Sequence, residues 1–483
     1  MVQTSLNAEL TGQTLARLRA AHAAAVERYP GEGGARQPVH TVYGGAHLFR
    51  RDSAPRLGEI ARRLLASYAP DFAALARALG LAGSQQLPEQ PDEVAELGRR
   101  LAAEPARARR EQPHLWLAWT VYERVVAKLE REPVEDFRID FEDGYGVRPD
   151  AEEDAAAEAA ALEVAAGMEA GTLPPFIGIR IKPLNPEMGA RAARTLDLFV
   201  SALAARTGGR LPEQFVITLP KVTMPEQVAA LVELCRALEA RLGLGDGALR
   251  LELMVETPQA ILDAEGRAAL PALVAAGGGR VRGAHFGTYD YTALCGITAA
   301  YQAMRHPACD FAKHVMQVAL AGTGVWLSDG ATTILPVPPH RAPAGGPPLG
   351  PREQAENRAA VHRAWRQAYE DARHSLQCGF YQGWDLHPGQ LVSRYAACYA
   401  FFLEGLEAAS ERLRNFIDKA AQATLSGFVF DDAATGQGLL NYFIRALQCG
   451  AIGEQEVAAT GLSLKELQGR SFAKIIEARR RQG

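Results

Sequence analysis

The chain has 483 residues, 48% of them hydrophobic, and a formal charge of −4 from 52 Lys and Arg against 56 Asp and Glu. That balance is too mild to argue for nucleic acid or an anionic membrane surface as partner, and no apolar run approaches the ~18 residues of a membrane span. Six cysteines lie scattered without a CxxC pair, and the first twenty residues lack the apolar core of a signal peptide. These features read as a cytoplasmic protein with reduced thiols, without a disulfide framework or zinc site.

Residues 1–37 form an amphipathic helical segment that breaks at YPGEGGARQP. Eight β-like runs follow in chain order: PVHTVYGG (38–45), DFRIDFED (136–143), PFIGIRIK (175–182), QFVITLPK (214–221), LRLELMVE (249–256), VRGAHFG (281–287), TGVWLSDG (323–330) and GFYQGWDLHP (379–388). Between most of them lies a helical pattern that stops at glycine. This alternation predicts an α/β fold, a (β/α)₈ TIM barrel over residues 38–395. A doubly wound open sheet is the alternative, because alternation does not distinguish closure from an edge. A helical insertion is predicted at about 51–135, and an irregular Pro/Gly-rich loop at about 331–375. Residues 396–483 are predicted to be a C-terminal helical lid or oligomerisation region.

In a barrel, functional groups sit at the C-terminal ends of strands. Those positions hold Asp140, Glu142 and Asp143, then Arg180 and Lys182, Lys221, Glu256, Asp290, Asp329, and finally Asp385 and His387. Glu256 and Asp290 follow consecutive strands, and with water and substrate oxygens would complete an octahedral site for Mg²⁺ or Mn²⁺. Against this stands a solvated glutamate beside a helix-capping aspartate. Arg180 suits capture of a carboxylate or an enolate oxygen, or an ion pair with Asp140 or Glu142. Glu142 and Asp143 would lie beside the metal, its cationic charge offsetting their repulsion, and either could act as a general base. Lys221 is a candidate substrate contact, with nothing around it to make a Schiff-base lysine. His47, after a glycine turn, is another. His285 reads as a satisfied core histidine and His387 as structural, and no histidine has a partner at zinc-site spacing.

The motifs resemble those of the HpcH/HpaI aldolase, citrate lyase β-subunit and malate synthase superfamily. IDFEDGYG is similar to its D-[LF]-E-D strand, IGIRIKPLN to its arginine strand, ITLPKV to its L-P-K strand and LMVETPQAI to its metal-glutamate strand. GAHFGTYDYT resembles the strand carrying the metal aspartate, and GFYQGWDLHPGQL the strand near the barrel's close. The resemblance runs in order over residues 38 to about 395. It implies a Mg²⁺- or Mn²⁺-dependent barrel, a divergent member acting as a carbon–carbon lyase or aldolase on a small 2-oxo or hydroxy acid. Glu256 and Asp290 would be its metal ligands, with Arg180 holding the oxo acid or stabilising the enolate.

Asp143 stands where class II pyruvate aldolases carry a histidine, which leans toward the lyases and malate synthases. The general base would be Asp143, Asp431, Asp432 or a metal-bound water. The alternatives are a Claisen condensation of acetyl-CoA with glyoxylate, phosphoryl transfer, and a non-catalytic binding protein on the same barrel. A CoA thioester substrate stays open, because no motif establishes CoA binding. The resemblance implies a homo-oligomer.

Overall fold

In the computed structural model all eight runs pair in parallel and in chain order, and the eighth returns to the first, closing the barrel. The structure describes residues 5–31, 35–342, 345–425, 433–458, 460–469 and 471–480. The strands are β1 (His40–Gly45), β2 (Asp136–Asp140), β3 (Phe176–Arg180), β4 (Phe215–Leu219), β5 (Arg250–Val255), β6 (Val281–Phe286), β7 (Trp326–Ala331) and β8 (Gln382–Asp385). His40 pairs with Gly383 and Val42 with Asp385, which removes both edges and decides against the open sheet.

The strands carry two kinds of residue at alternating positions. Ile139, Ile177, Ile179, Ile217, Leu219, Leu251 and Leu253 are fully buried and belong to the apolar core. The intervening positions meet inside the barrel. Arg138 of β2 reaches Thr218 Oγ1 on β4 at 3.1 Å and Glu252 on β5 at 2.9 Å, a span that only the barrel interior allows. Its remaining hydrogen bond goes to Asp136, which also accepts from Thr41 at 2.8 Å. The charges inside the barrel are therefore paired and hydrogen-bonded, as buried charges must be.

Helix α1 (Ala8–Arg28) precedes the barrel. The insertion between β1 and β2 is helical: α2 (Ser53–Tyr68), α3 (Phe72–Leu79), α4 (Pro91–Ala103), α5 (Pro105–Glu111) and α6 (Pro113–Arg131). Around the barrel follow α7 (Asp150–Ala170), α8 (Gly189–Thr207), α9 (Pro225–Leu242), α10 (Pro258–Ile261), α11 (Leu270–Ala276), α12 (Thr288–Leu294), α13 (Pro307–Leu320), α14 (Pro351–Gln377) and α15 (Gln390–Glu404). Then come α16 (Leu406–Leu425), α17 (Ala433–Gln448) and shorter helices ending at Arg480.

Two expectations change. The irregular stretch after β7 ends at Gly350, not near 375, because α14 begins with Pro351 at its first position, where the missing N–H costs nothing. Val361, Ala364, Trp365, Ala368, Tyr369 and Ala372 then bury one face of that helix at helical spacing. The boundary expected at residue 395 falls inside α15, whose side chains from Gln390 to Ala400 are all buried. Asp431 and Asp432 lie outside the described residues. Among the described residues no helix is long and apolar enough to cross a membrane, and the six cysteines are free.

Candidate functional site

The turn after β2 is organised by Asp140. Its carboxylate accepts the Glu142 N–H at 3.0 Å and the Gly144 N–H at 2.8 Å, and takes Arg180 Nε at 2.7 Å and Nη2 at 2.5 Å. A side chain at position 144 would put its Cβ 2.5 Å from Asp140 Oδ2, so glycine is required there. Arg180 is 1% exposed, with its guanidinium 4.8 Å from the Tyr43 ring centroid and 5.6 Å from that of Trp384. Its Nη1 lies 3.0 Å from Glu142 Oε2. The ion pair of Arg180 with Asp140 and Glu142, one of two compatible readings of this residue, is formed.

Lys221 follows β4 and stands among the acids. Its ammonium lies 2.5 Å from Glu142 Oε1, 3.5 Å from Asp143 and 3.9 Å from Asp290, while its backbone N–H donates to Glu256 Oε1 at 2.7 Å. Its φ of 51° makes it the one non-glycine residue with positive φ among the described residues. A β-carbon in that conformation costs about 1–2 kcal/mol, so the surrounding contacts must hold it there. Burial alone would lower the Lys221 pKa, but the hydrogen bond and charge of Glu142, with Glu256 and Asp143, raise it above the usual lysine value.

Glu256 is 1% exposed, and burial, then the charge of Asp290, push its pKa up to about 8. Gly287 makes room for it: a Cβ there would lie 2.5 Å from Glu256 Cβ and 2.7 Å from Oε2. Asp290, in the first turn of α12, has a half-exposed side chain. Asp143 is more open still, at 60%.

The fold thus gathers Glu142, Asp143, Arg180, Lys221, Glu256 and Asp290 from the ends of β2 to β6. His47 stands apart on the short turn Ala46–Leu48. Its ring is edge-on to Tyr145 at 5.5 Å and its Nδ1 is buried without a hydrogen bond. The other charged strand ends do not serve the mouth. Lys182 bonds Glu153 at 2.9 Å, Asp329 takes Lys313 at 3.0 Å and Ser375 at 2.6 Å, and Asp385 pairs with Arg394 at 3.0 Å. His387 Nδ1 accepts the Gly389 N–H at 3.0 Å, a local structural bond.

A floor beneath Arg180 went unnoticed in the sequence. Tyr43 packs on Trp384 with centroids 4.4 Å apart, and its hydroxyl meets His285 Nδ1 at 3.1 Å. His285 is fully buried, but only half satisfied, because its Nε2 lacks a partner, as does Trp384 Nε1. Alternation along HTVYGG and QGWD was the available signal, since it puts Tyr43 and Trp384 on the inward face.

A family model described as a domain of unknown function, DUF6986, matches residues 18–475. The chain belongs to the DUF6986 family. Among solved structures, this DUF6986 chain is similar to RipC from Yersinia pestis, with 15% identity and a TM-score of 0.36 over 55% of this chain and 90% of that one. It is similar to a Haloferax volcanii malate synthase lead(II) complex at 16% identity and a TM-score of 0.38, covering 71% and 88%. The citrate lyase beta subunit from M. tuberculosis, complexed with oxaloacetate and magnesium, has 18% identity and a TM-score of 0.35, covering 58% and 93%. Likenesses this faint carry no argument, and the DUF6986 barrel stands on its own strand pairing. No curated protein matches the sequence.

Proposed function

We propose that the barrel mouth is the active site of a Mg²⁺-dependent carbon–carbon lyase or aldolase acting on a small 2-oxo or hydroxy acid, or its CoA thioester. One observation carries the reading: acids and cations from five consecutive strand ends, β2 to β6, converge around Lys221 and Glu142. A stabilising rim has no use for four acids, Glu142, Asp143, Glu256 and Asp290, gathered against only two cations, Arg180 and Lys221. The motif resemblance points the same way.

The residues fit a hard divalent ion. Glu256 and Asp290 offer carboxylate oxygens, and Glu142 and Asp143 stand beside them, a donor set that suits Mg²⁺ or Mn²⁺. When bound, Mg²⁺ supplies Lewis-acid polarisation of a carbonyl.

The chain's own groups do the rest. The Arg180 fork is spent on Asp140, so it is a positioning residue that holds Glu142 and places a fixed positive charge under the mouth. Such a preorganised charge favours negative charge developing on a substrate oxygen. Lys221, with a third of its side chain exposed, is placed to receive a substrate carboxylate. Asp143, whose side chain is largely exposed, takes or returns the proton on carbon. His47 contributes a ring nitrogen at the rim. A cytoplasmic homo-oligomer belongs to the same reading.

The test follows solvent deuterium into the methyl groups of pyruvate and of acetyl-CoA by proton NMR, with and without Mg²⁺ or Mn²⁺. Metal-dependent exchange in pyruvate is expected. Exchange confined to acetyl-CoA moves the protein to Claisen chemistry, and none in either from metal-loaded protein removes both donors.

A further inference from the structure

Outside the barrel, where α13 and α14 pack behind β7, three unlike donors converge. Asp310 lies in the first turn of α13, while His374 and Cys378 sit four residues apart at the end of α14, on one face of the last turn. Their ligand atoms all lie within 4.8 Å of one another. Asp310 Oδ1 is 2.9 Å from His374 Nε2, and Cys378 Sγ is 3.8 Å from that same nitrogen.

The shared nitrogen decides what this cluster can be. A thiol activated by a histidine needs the carboxylate on the far ring nitrogen, so that one nitrogen orients while the other takes the proton. Here carboxylate and thiol approach Nε2 together, which is the arrangement of ligands around a common ion. With zinc bonds of about 2.1 Å to nitrogen and 2.3 Å to sulfur, a tetrahedral N···S edge is about 3.6 Å, close to the distance found. We propose that Asp310, His374 and Cys378 form a binding site for a zinc-class divalent ion, one separate from the oxygen-rich barrel mouth and unforeseen from cysteine spacing.

Neighbouring groups support the placement. Lys313 Nζ is 3.3 Å from Asp310 Oδ1, but it is also 3.0 Å from the fully buried Asp329, which answers its charge. Gln317 donates to the Cys378 carbonyl at 2.5 Å, and Gly379 at φ 82° turns the chain toward β8. An ion there pins the α14–β8 corner. Asp310 and His374 side chains are each 27% exposed, which leaves an entry path and a fourth position for water. Binding releases the proton of the Cys378 thiol and requires His374 to carry its ring proton on Nδ1, leaving Nε2 free to ligate.

The probe is Co²⁺ added to the full-length, thiol-reduced protein. The expected result is one equivalent bound with tetrahedral visible bands and a near-ultraviolet thiolate-to-cobalt band, both bleached by Zn²⁺. Cys378→Ser should lose the near-ultraviolet band, and the Glu256→Gln/Asp290→Asn double variant should keep it. His374→Gln provides an independent arm, expected to lose the visible intensity, should the serine variant not fold by circular dichroism. Absence of the near-ultraviolet band from wild type at saturating Co²⁺, or its survival in Cys378→Ser, overturns the proposal. So does unchanged visible intensity in His374→Gln.

Discussion

The Lys221 ammonium lies 2.5 Å from Glu142 Oε1, while the backbone N–H of the same residue holds Glu256 Oε1 at 2.7 Å. One residue after β4 thereby ties the acid that follows β2 to the acid that follows β5. The crowding of carboxylates in IDFEDGYG is answered by Lys221 and Arg180.

Replacing Lys221 by Met should therefore destabilise the fold. Glu142 is 7% exposed and would keep only Arg180 as a counter-charge, as would Asp143, 3.9 Å from the same guanidinium, while Asp290 would lose Lys221. The expected loss is about 1–3 kcal/mol, toward the lower end because Lys221 is partly exposed. Mg²⁺ should restore part of it. Urea unfolding with and without Mg²⁺ measures both, and a stable variant indifferent to Mg²⁺ would count against the arrangement.

Gly287→Ala tests the space around Glu256. The added Cβ would meet Glu256 Cβ at 2.5 Å and Oε2 at 2.7 Å, and φ at this position is −102°, so the effect is steric rather than conformational. Overpacking of this kind costs about 1–3 kcal/mol. Mg²⁺ affinity should fall with it, read by calorimetric titration alongside thermal melting.

Glu256→Ala and Asp290→Ala should each weaken Mg²⁺ binding by more than the roughly 10–100-fold that loss of an outer partner causes. Turnover, once the substrate is known, should fall in parallel. Unchanged affinity in both variants would withdraw the ligand assignment.

His40, at the start of β1, sets a pH dependence of stability. It is fully buried, its Nε2 accepts the Glu135 N–H at 3.1 Å, and its Nδ1 has no hydrogen-bond partner. Burial lowers its pKa from 6.5 to about 3, with Asp385 opposing and Arg394 reinforcing the shift. Between those values the unfolded chain binds a proton that the folded chain refuses. Stability is complete above 6.5 and falls as pH drops toward 3, by up to about 1.4 kcal/mol per pH unit. His40→Gln should flatten this part of the profile in urea unfolding at stepwise pH. An equal slope in wild type and variant would assign the loss to other groups.

The barrel was legible because its strands are short apolar runs bounded by glycine and separated by helical repeats, and each run found its place. Glu142, Asp143, Arg180, Lys221, Glu256 and Asp290 were legible for a related reason: charge after an apolar run has few causes. Lys182, Asp329 and Asp385 looked the same and pair outside that cluster, with Glu153, Lys313 and Arg394. Side-chain alternation is dependable within a strand, and at or beyond its last residues the turn decides where a side chain goes. Helix α14 was missed, although Val361 to Ala372 carry a helical pattern, because the prolines before it drew the loop too far.

By itself, then, the sequence determined the order of the elements and the short roll of residues able to do chemistry, because backbone periodicity and side-chain charge are local properties. Only the tertiary structure decided the left-handed backbone of Lys221, the Asp140 clasp on Arg180, the Tyr43–Trp384 floor and the meeting of Asp310 with His374 and Cys378. Each of these depends on distances between residues far apart in the chain. Such distances are set by barrel closure and helix packing, not by any property of a residue or its neighbours in sequence.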